Sequence, residues 1–470
     1  MAPIQTEPRT RPAGTATRVR ARLAGVYPGW WLVGIAFISQ LVTVSANSYA
    51  TGAFLKPMTE ELDWTRSEFA LARTIGQVVV AGAALFIGSR VDQHGGKRLM
   101  MIGCVAMCLA LFLCAYVQTL WQWLLLNGLL ISAGSAMCGG LVVYVTLSKW
   151  FVEQRGRAVS YAAMGVSFSG VAVTPASAWM VDEFGWRMAW QLLAVIAFAM
   201  LFPMTLMMRT TPEDYGLFPD GKTAEQIAAG GGKAADADFA RSLTWRQAVR
   251  TSAFYLIVLG FGMGAMSIGV MILQVIPYLS DAGYGGQFGA WMLALTSFPS
   301  MLSKPFWGWL ADRVDVKAAL VGFVTNAIAL VIIVYAVRAH ADLYVYFGFL
   351  LLGFGWGGNQ PMQEAVWGSF FGRRHLGAVR SAGMPLTLLL GASSPLFASY
   401  YYDRVGNYDG LFLGIAGLAL LGGVLLLFAH RPEVPAPASA SPAAAAWRYA
   451  ERYAERPSFF TLFSARGGSR

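Results

Sequence analysis

Twelve runs of mostly apolar residues, each about 20 to 28 long and separated by polar breaks, leave this chain few folds to choose from. They fall at roughly 30–54, 67–89, 98–118, 121–147, 157–181, 186–208, 252–279, 287–310, 317–337, 342–367, 377–402 and 408–429. A run of that length crosses the ~30 Å hydrocarbon core of a bilayer as a helix, and none shows the alternation of a barrel strand. With 56% hydrophobic and 13% charged residues in 470, the chain has too little polar surface to coat a soluble globule. Backbone in lipid must satisfy its own hydrogen bonds, so the expected fold is an all-α membrane protein of twelve transmembrane helices.

The sequence also repeats itself. Gly88-Ser-Arg-Val-Asp92-Gln-His-Gly95-Gly-Lys97-Arg98 closes the second run, and Gly308-Trp-Leu-Ala-Asp312-Arg313-Val-Asp-Val-Lys317 closes the eighth. A loop that recurs at half-chain spacing implies two pseudo-symmetric six-helix bundles. The one long polar break, with Pro212-Glu-Asp, Pro219-Asp-Gly221 and Gly230-Gly-Gly232, reads as the linker between them. The expected divisions are a basic tail at 1–29, a first bundle at 30–209, a linker at 210–251, a second bundle at 252–430 and a low-complexity tail at 431–470.

Cation placement gives the orientation. Of the 35 Lys and Arg, only Lys56, Arg66, Arg187, Arg338 and Arg404 fall in odd-numbered loops, and only Arg73 and Lys304 inside spans. The rest lie in the tails and the even-numbered loops, which predicts both termini cytoplasmic in a multi-pass protein of the inner (cytoplasmic) membrane. The same rule accounts for the net charge of +10, and no nucleic-acid partner is expected, since no basic patch with interleaved aromatics stands outside the loops. The first apolar run is far longer than a signal-peptide core and reads as a retained span.

Several chemistries are excluded. Cys104, Cys108, Cys114 and Cys138 all lie inside predicted helices, with neither zinc spacing nor a disulfide pattern. Residues 216–223 match the Gly-x4-Gly-Lys-Thr expression literally, but no strand precedes them and Pro219 and Asp220 sit inside the would-be cradle. Gly260-Phe-Gly262-Met-Gly-Ala265 lies within an apolar helix, where its glycines suit close packing. His94, His340, His375 and His430 are at span ends or in loops and form no cluster with nucleophiles. Neither an enzyme nor a cofactor is expected. A transporter-like sensor would need an output module, and the last 40 residues offer only the short Trp447–Tyr453 segment.

These residues resemble the major facilitator superfamily, and within it the monocarboxylate-transporter-like and oxalate/formate-antiporter-like branch. The superfamily's Gly-x-x-x-Asp-x-x-Gly-x-Lys/Arg loop is matched by Gly88, Asp92, Gly95, Lys97 and Arg98. Supporting features are Lys149-Trp-Phe followed by Arg155-Gly-Arg157-Ala, Phe184-Gly-Trp-Arg187, and Phe370-Phe-Gly-Arg-Arg374. The narrower branch rests on Gly52-Ala-Phe-Leu-Lys56-Pro, Trp64-Thr-Arg-Ser67, Pro212-Glu-Asp-Tyr-Gly216 and Ser303-Lys304-Pro305. The resemblance implies a secondary carrier that works by alternating access, with a small organic anion as substrate. In that family the loop is understood to latch the two halves on the cytoplasmic side. Physically, Asp92 can meet the positive end of a neighbouring helix, and Lys97 and Arg98 can pair with acids or lipid phosphates. The alternative is a loop that fixes topology only. The second copy keeps Gly308, Asp312 and Arg313 but has Asp315 where a glycine is expected, so the latch is assigned mainly to the first.

Lys304 is the candidate substrate charge. It precedes Asp312 by eight residues, about 12 Å into a ~30 Å core, where an ammonium needs an aqueous cavity or a partner. The animal monocarboxylate carriers have a substrate-contacting arginine at this position, and an aspartate where this chain has Ser300. Lys304 either meets an anionic substrate or pairs with a group elsewhere in the fold. Arg73 is a second anion contact or an interfacial anchor. Tyr49, where the animal carriers have a lysine, and Asn359 and Gln360 on the tenth run complete the expected lining. One deep cation favours a monocarboxylate, with proton symport the first expectation and exchange of the oxalate/formate type the second. Glu364 is the one carboxylate inside a span away from the loop edges, and Arg380 lies near the cytoplasmic entry. The expected partners are the substrate, protons and membrane lipids, with the protein acting as a monomer.

Overall fold

A computed structural model describes residues 27–432 apart from 216, 224–225, 227–237, 240–241, 285 and 315. The two tails, Gly216, Gly230–Gly232, Asp315 and Trp447–Tyr453 therefore lie outside the described residues. Twelve helices follow in order: α1 Pro28–Leu62, α2 Arg66–His94, α3 Lys97–Tyr116, α4 Leu120–Trp150, α5 and α6 as the two arms of Arg155–Met207, α7 Ser252–Asp281, α8 Gly286–Val314, α9 Val316–Arg338, α10 Asp342–Phe371, α11 Leu376–Val405 and α12 Asp409–Leu427. Gly185, at φ 74°, separates α5 (155–184) from α6 (186–207). No strand occurs among the described residues.

The spans match the apolar runs closely except that α1 continues to Leu62. Its extra turns are amphipathic: Phe54 and Met58 are fully buried, and Phe54 stacks on Trp190 of α6 with ring centroids 3.9 Å apart. Packing against α6 carries the helix past the bilayer-length run, with Pro57 tolerated inside it. Asp63 in the left-handed region ends it, and a capping box of Thr65 and Glu68 starts α2.

Each half repeats the same pairings: α1 with α5 and α7 with α11, α2 with α4 and α8 with α10, α3 with α6 and α9 with α12. Between the halves, α2 packs on α11 and α5 on α8. Large apolar side chains such as Val78, Phe86 and Leu389 stay exposed, as a lipid-facing surface requires.

The linker clasps both halves on the face that carries the α2–α3, α4–α5 and α10–α11 loops, called here the linker face. Asp220 accepts hydrogen bonds from the N–H groups of Val152, Glu153 and Gln154, at 3.1 to 3.3 Å. Tyr27 donates to the carbonyls of Trp150 and Phe218. Burial raises the pKa of both groups, and for Tyr27 the carboxylates of Asp220 and Glu213 add to the effect. On the other side Glu213 pairs with Arg373 at 2.6 Å, and the N–H of Leu243 donates to Phe371 at 3.0 Å.

Candidate substrate cavity and the contacts that seal it

At the linker face, two crossings hold the halves together, and each is built the same way. Asp92, at the end of α2, accepts hydrogen bonds from Gly377 N–H (3.1 Å) and Ala378 N–H (2.8 Å) at the start of α11. Asp312, at the end of α8, accepts from Gly156 N–H (2.5 Å) and Arg157 N–H (3.0 Å) at the start of α5. Both carboxylates thus sit on helix N-termini, where unpaired N–H groups and the helix dipole favour negative charge. One turn before each aspartate the backbones touch. A Cβ on Gly88 would collide with the carbonyl of Gly377, and one on Gly308 with the carbonyl of Gly156, so a side chain at either position would push the halves apart.

The two copies of the loop are therefore equivalent in geometry, despite the departure at position 315. Their helix-start partners repeat as well: Arg155-Gly-Arg-Ala-Val-Ser160 aligns with Leu376-Gly-Ala-Val-Arg-Ser381. Comparing the chain with itself at that offset is the signal that finds these partners, because backbone N–H donors leave no side-chain trace. The first copy has one addition. Lys149 lies 3.2 Å from Asp92, with both side chains buried, and also donates to Val91 O. Lys97 and Arg98 are exposed and have no ion pair among the described residues, so the cation beside Asp92 comes from the Lys149-Trp-Phe motif instead. Arg313 is exposed and lies over the Trp309 ring at 4.3 Å, and Gly95 closes α2 with φ 76°.

Above this seal lies a cavity of about 390 Å³ between the halves, lined by α1, α2 and α4 from one side and α10 and α11 from the other. Its two charged lining residues are Glu364 and Arg380. Arg380 Nε lies 3.0 and 3.1 Å from the two Glu364 oxygens, and its Nη2 closes a second contact to the same carboxylate. The pair is largely buried, with Glu364 4% and Arg380 12% exposed. The other polar lining groups, such as Asn47, Ser48, Gln77 and Gln363, are neutral hydrogen-bonding side chains. Glu364 and Arg380 flank the same short loop on adjacent antiparallel helices, which is why two groups that read separately in the sequence meet.

Three helices are locally unwound near the cavity. α1 has a wide turn at Ser45–Tyr49, α5 has one at Ser169–Val173, and the hydroxyls of Ser45 and Ser169 meet at 2.5 Å. α4 has a wide turn at Leu124–Ile131 and a break at Gly139, whose ψ of −162° takes it out of the helix. Such departures inside helices recur at functional sites.

Of the residues expected to contact substrate, Gln360 lines this cavity and the other four do not. Lys304 is buried between the halves, donating to Ser167 Oγ on α5 at 2.6 Å and to Ser300 O at 3.2 Å. It has no ion-pair partner among the described residues, and it ties α8 to α5. Tyr49 packs its ring against Gly170 and is within electrostatic reach of Arg73, whose side chain is exposed. Asn359 is half-buried with an unpartnered Oδ1. All four cysteines are buried and unpaired.

A cavity enclosed by two repeats of six helices, and sealed on one face by contacts that cross from repeat to repeat, is the architecture of a membrane transporter. The chain belongs to the major facilitator superfamily, whose sequence profile matches residues 36–384 and 271–468. Among characterised and catalogued proteins it is similar to monocarboxylate transporter 11 of Mus musculus, 25% identical over 416 residues that cover 85% of this chain and 87% of that one. It is also similar to the uncharacterized MFS-type transporter YcxA of Bacillus subtilis, 20% identical over 397 residues covering 81% and 90%. Among solved structures, the proton:xylose symporter XylE bound to 6-bromo-6-deoxy-D-glucose superposes with a TM-score of 0.67 at 11% identity, covering 85% of this chain and 95% of that one. That likeness establishes the fold.

Proposed function

We propose that this transporter moves a small organic anion, a monocarboxylate in the first instance, together with a proton. The linker face is cytoplasmic in this reading, as the cation distribution suggests, so a seal on that face corresponds to an outward-facing state. The observation that carries the proposal is the Glu364–Arg380 pair in the cavity wall. The names of the monocarboxylate relatives point the same way.

The chemistry follows from charge balance. With the cavity empty, Glu364 and Arg380 neutralise each other. A carboxylate that took Arg380 for itself would strand Glu364 as a buried anion, and breaking such a pair costs about 3–5 kcal/mol. Protonating Glu364 removes that cost, because Arg380 then faces one carboxylate again and the cavity returns to neutrality. Anion and proton therefore enter together in a one-to-one ratio.

The test uses Glu364→Gln in proteoliposomes, with counterflow of labelled monocarboxylate measured beside uphill uptake driven by a pH gradient. The amide mimics the protonated acid, so exchange is expected to persist while proton-driven accumulation is lost. Wild-type accumulation by the variant would refute the coupling. Uptake of neutral solutes alone by the wild type would refute the anion.

A further inference from the structure

Building on the anion-carrier reading, we infer that the break in α4 at Gly139–Gly140 is the subsite for the substrate carboxylate. The arm that begins there, Gly140–Trp150, is 11 residues long, so its N-terminus lies about 16 Å from the linker-face end, well inside the bilayer. It opens into the cavity: Gly139, Gly140 and Leu141 all line it. No side chain caps this start. The N–H groups of Val142 and Val143 are taken by Gly139 O, whereas those of Gly140 and Leu141 have no partner within the helix. Two N–H donors and the positive end of a helix therefore face the space between the halves, the arrangement that interrupted membrane helices present to anions.

A second observation points to a ligand at the same place. Gln40 is 3% exposed, lines the cavity, and has one end of its amide 2.6 Å from Tyr144 Oη and the other without a partner. A separation of 2.6 Å is short for N–H···O and ordinary for O–H···O. The atom placed at 2.6 Å is Nε2 and the unpartnered one Oε1, so we turn the amide over, with its oxygen accepting from the tyrosine and its NH₂ unpartnered. A buried amide donor left unpaired in the wall of the cavity that Gly140 and Leu141 also line fits a carboxylate oxygen. Gly140 keeps the space open, since a Cβ there would come within 2.9 Å of the Tyr144 ring and 3.4 Å of the Gln40 amide. Tyr144, Glu364 and Arg380 line the same cavity as Gly140, so the released arginine can meet the same bound anion.

The test compares acids with their primary amides. Acetate, lactate and benzoate, each paired with its neutral amide, compete for uptake of whichever labelled acid the full-length wild-type protein transports in proteoliposomes. Gly140→Ala is expected to raise the half-saturation concentration for the acid at least tenfold and to reduce the acid-over-amide preference by a similar factor. Gln40→Glu, which keeps the side-chain size and adds a like charge, is expected to do the same, and it stands as the independent variant should Gly140→Ala not insert. Wild-type acid-over-amide preference in an inserted variant would overturn the subsite and leave the anion carrier intact. A wild type that ignores all acids would overturn both.

Discussion

Replacing Asp312 by Asn is the perturbation that most directly measures the seal. Asp312 accepts two N–H groups from the start of α5, at 2.5 and 3.0 Å, and these contacts exist only while the halves meet at the linker face. Hydrogen bonds to a charged acceptor contribute about 1.5–3 kcal/mol each, and the attraction to a helix N-terminus about 0.3–1 kcal/mol more. Asn retains one acceptor oxygen and turns an NH₂ toward the second donor, so the sealed state loses about 2–4 kcal/mol. That shifts the balance between sealed and open states by about 30- to 700-fold. The same substitution at Asp92 also strands Lys149, whose ammonium is 3.2 Å away and buried, so Asp92→Asn is expected to shift the balance further. Spin labels at positions 94 and 314, both exposed at the linker face, report the separation of the halves by double electron–electron resonance. The four native cysteines are buried and do not compete for the label. Both variants should populate a longer distance absent from the wild type. An unchanged distribution for Asp312→Asn would refute the equivalence of the two crossings, and a smaller shift for Asp92→Asn than for Asp312→Asn would refute the added part assigned to Lys149.

Two further substitutions probe groups outside the cavity. Lys304→Ala removes the bond from α8 to Ser167 and is expected to abolish transport, with Lys304→Arg retaining part of it; wild-type uptake by the alanine variant would remove Lys304 from the cycle. Arg373→Gln breaks the 2.6 Å bridge to Glu213 and the bond to Lys149 O, and is expected to loosen the linker, raising its cleavage rate by added protease severalfold with little change in substrate affinity. An unchanged cleavage rate would count against the clasp.

How much of this was legible in the sequence depended on which physical signal each feature leaves. Among the described residues eight helices, one of them the joined α5 and α6, are long and apolar enough to cross a membrane by composition alone. Asp92 and Asp312 stood out because a carboxylate at a recurring loop is a side-chain signature. What they grip was not readable, since backbone donors 285 and 156 residues away carry no residue type of their own. For Lys304 the sequence carries an expected depth but no direction. Counting along α8 places it mid-membrane, but whether a side chain there faces the cavity or the neighbouring bundle depends on the crossing angle of α5 and α8.

The geometry also constrains how sealing and loading can be linked. Arg380 is three positions beyond Gly377, so the helix that presents the substrate charge begins at the N–H groups that Asp92 holds. α11 cannot swing away from α2 without carrying Arg380 with it, because both sit on its first turn and a half. Under the proposed coupling, a cavity holding a carboxylate and an unprotonated Glu364 retains an unpaired buried charge, and moving the halves would drag that charge through the bilayer. The empty pair and the fully loaded site are both neutral, so they let the halves part at the cost of the Asp92 and Asp312 contacts without a stranded charge at this pair. Coupling then needs no separate gate: the strength of the seal sets how fast the halves exchange, and the neutrality of the Glu364–Arg380 site sets which contents are allowed to make the crossing.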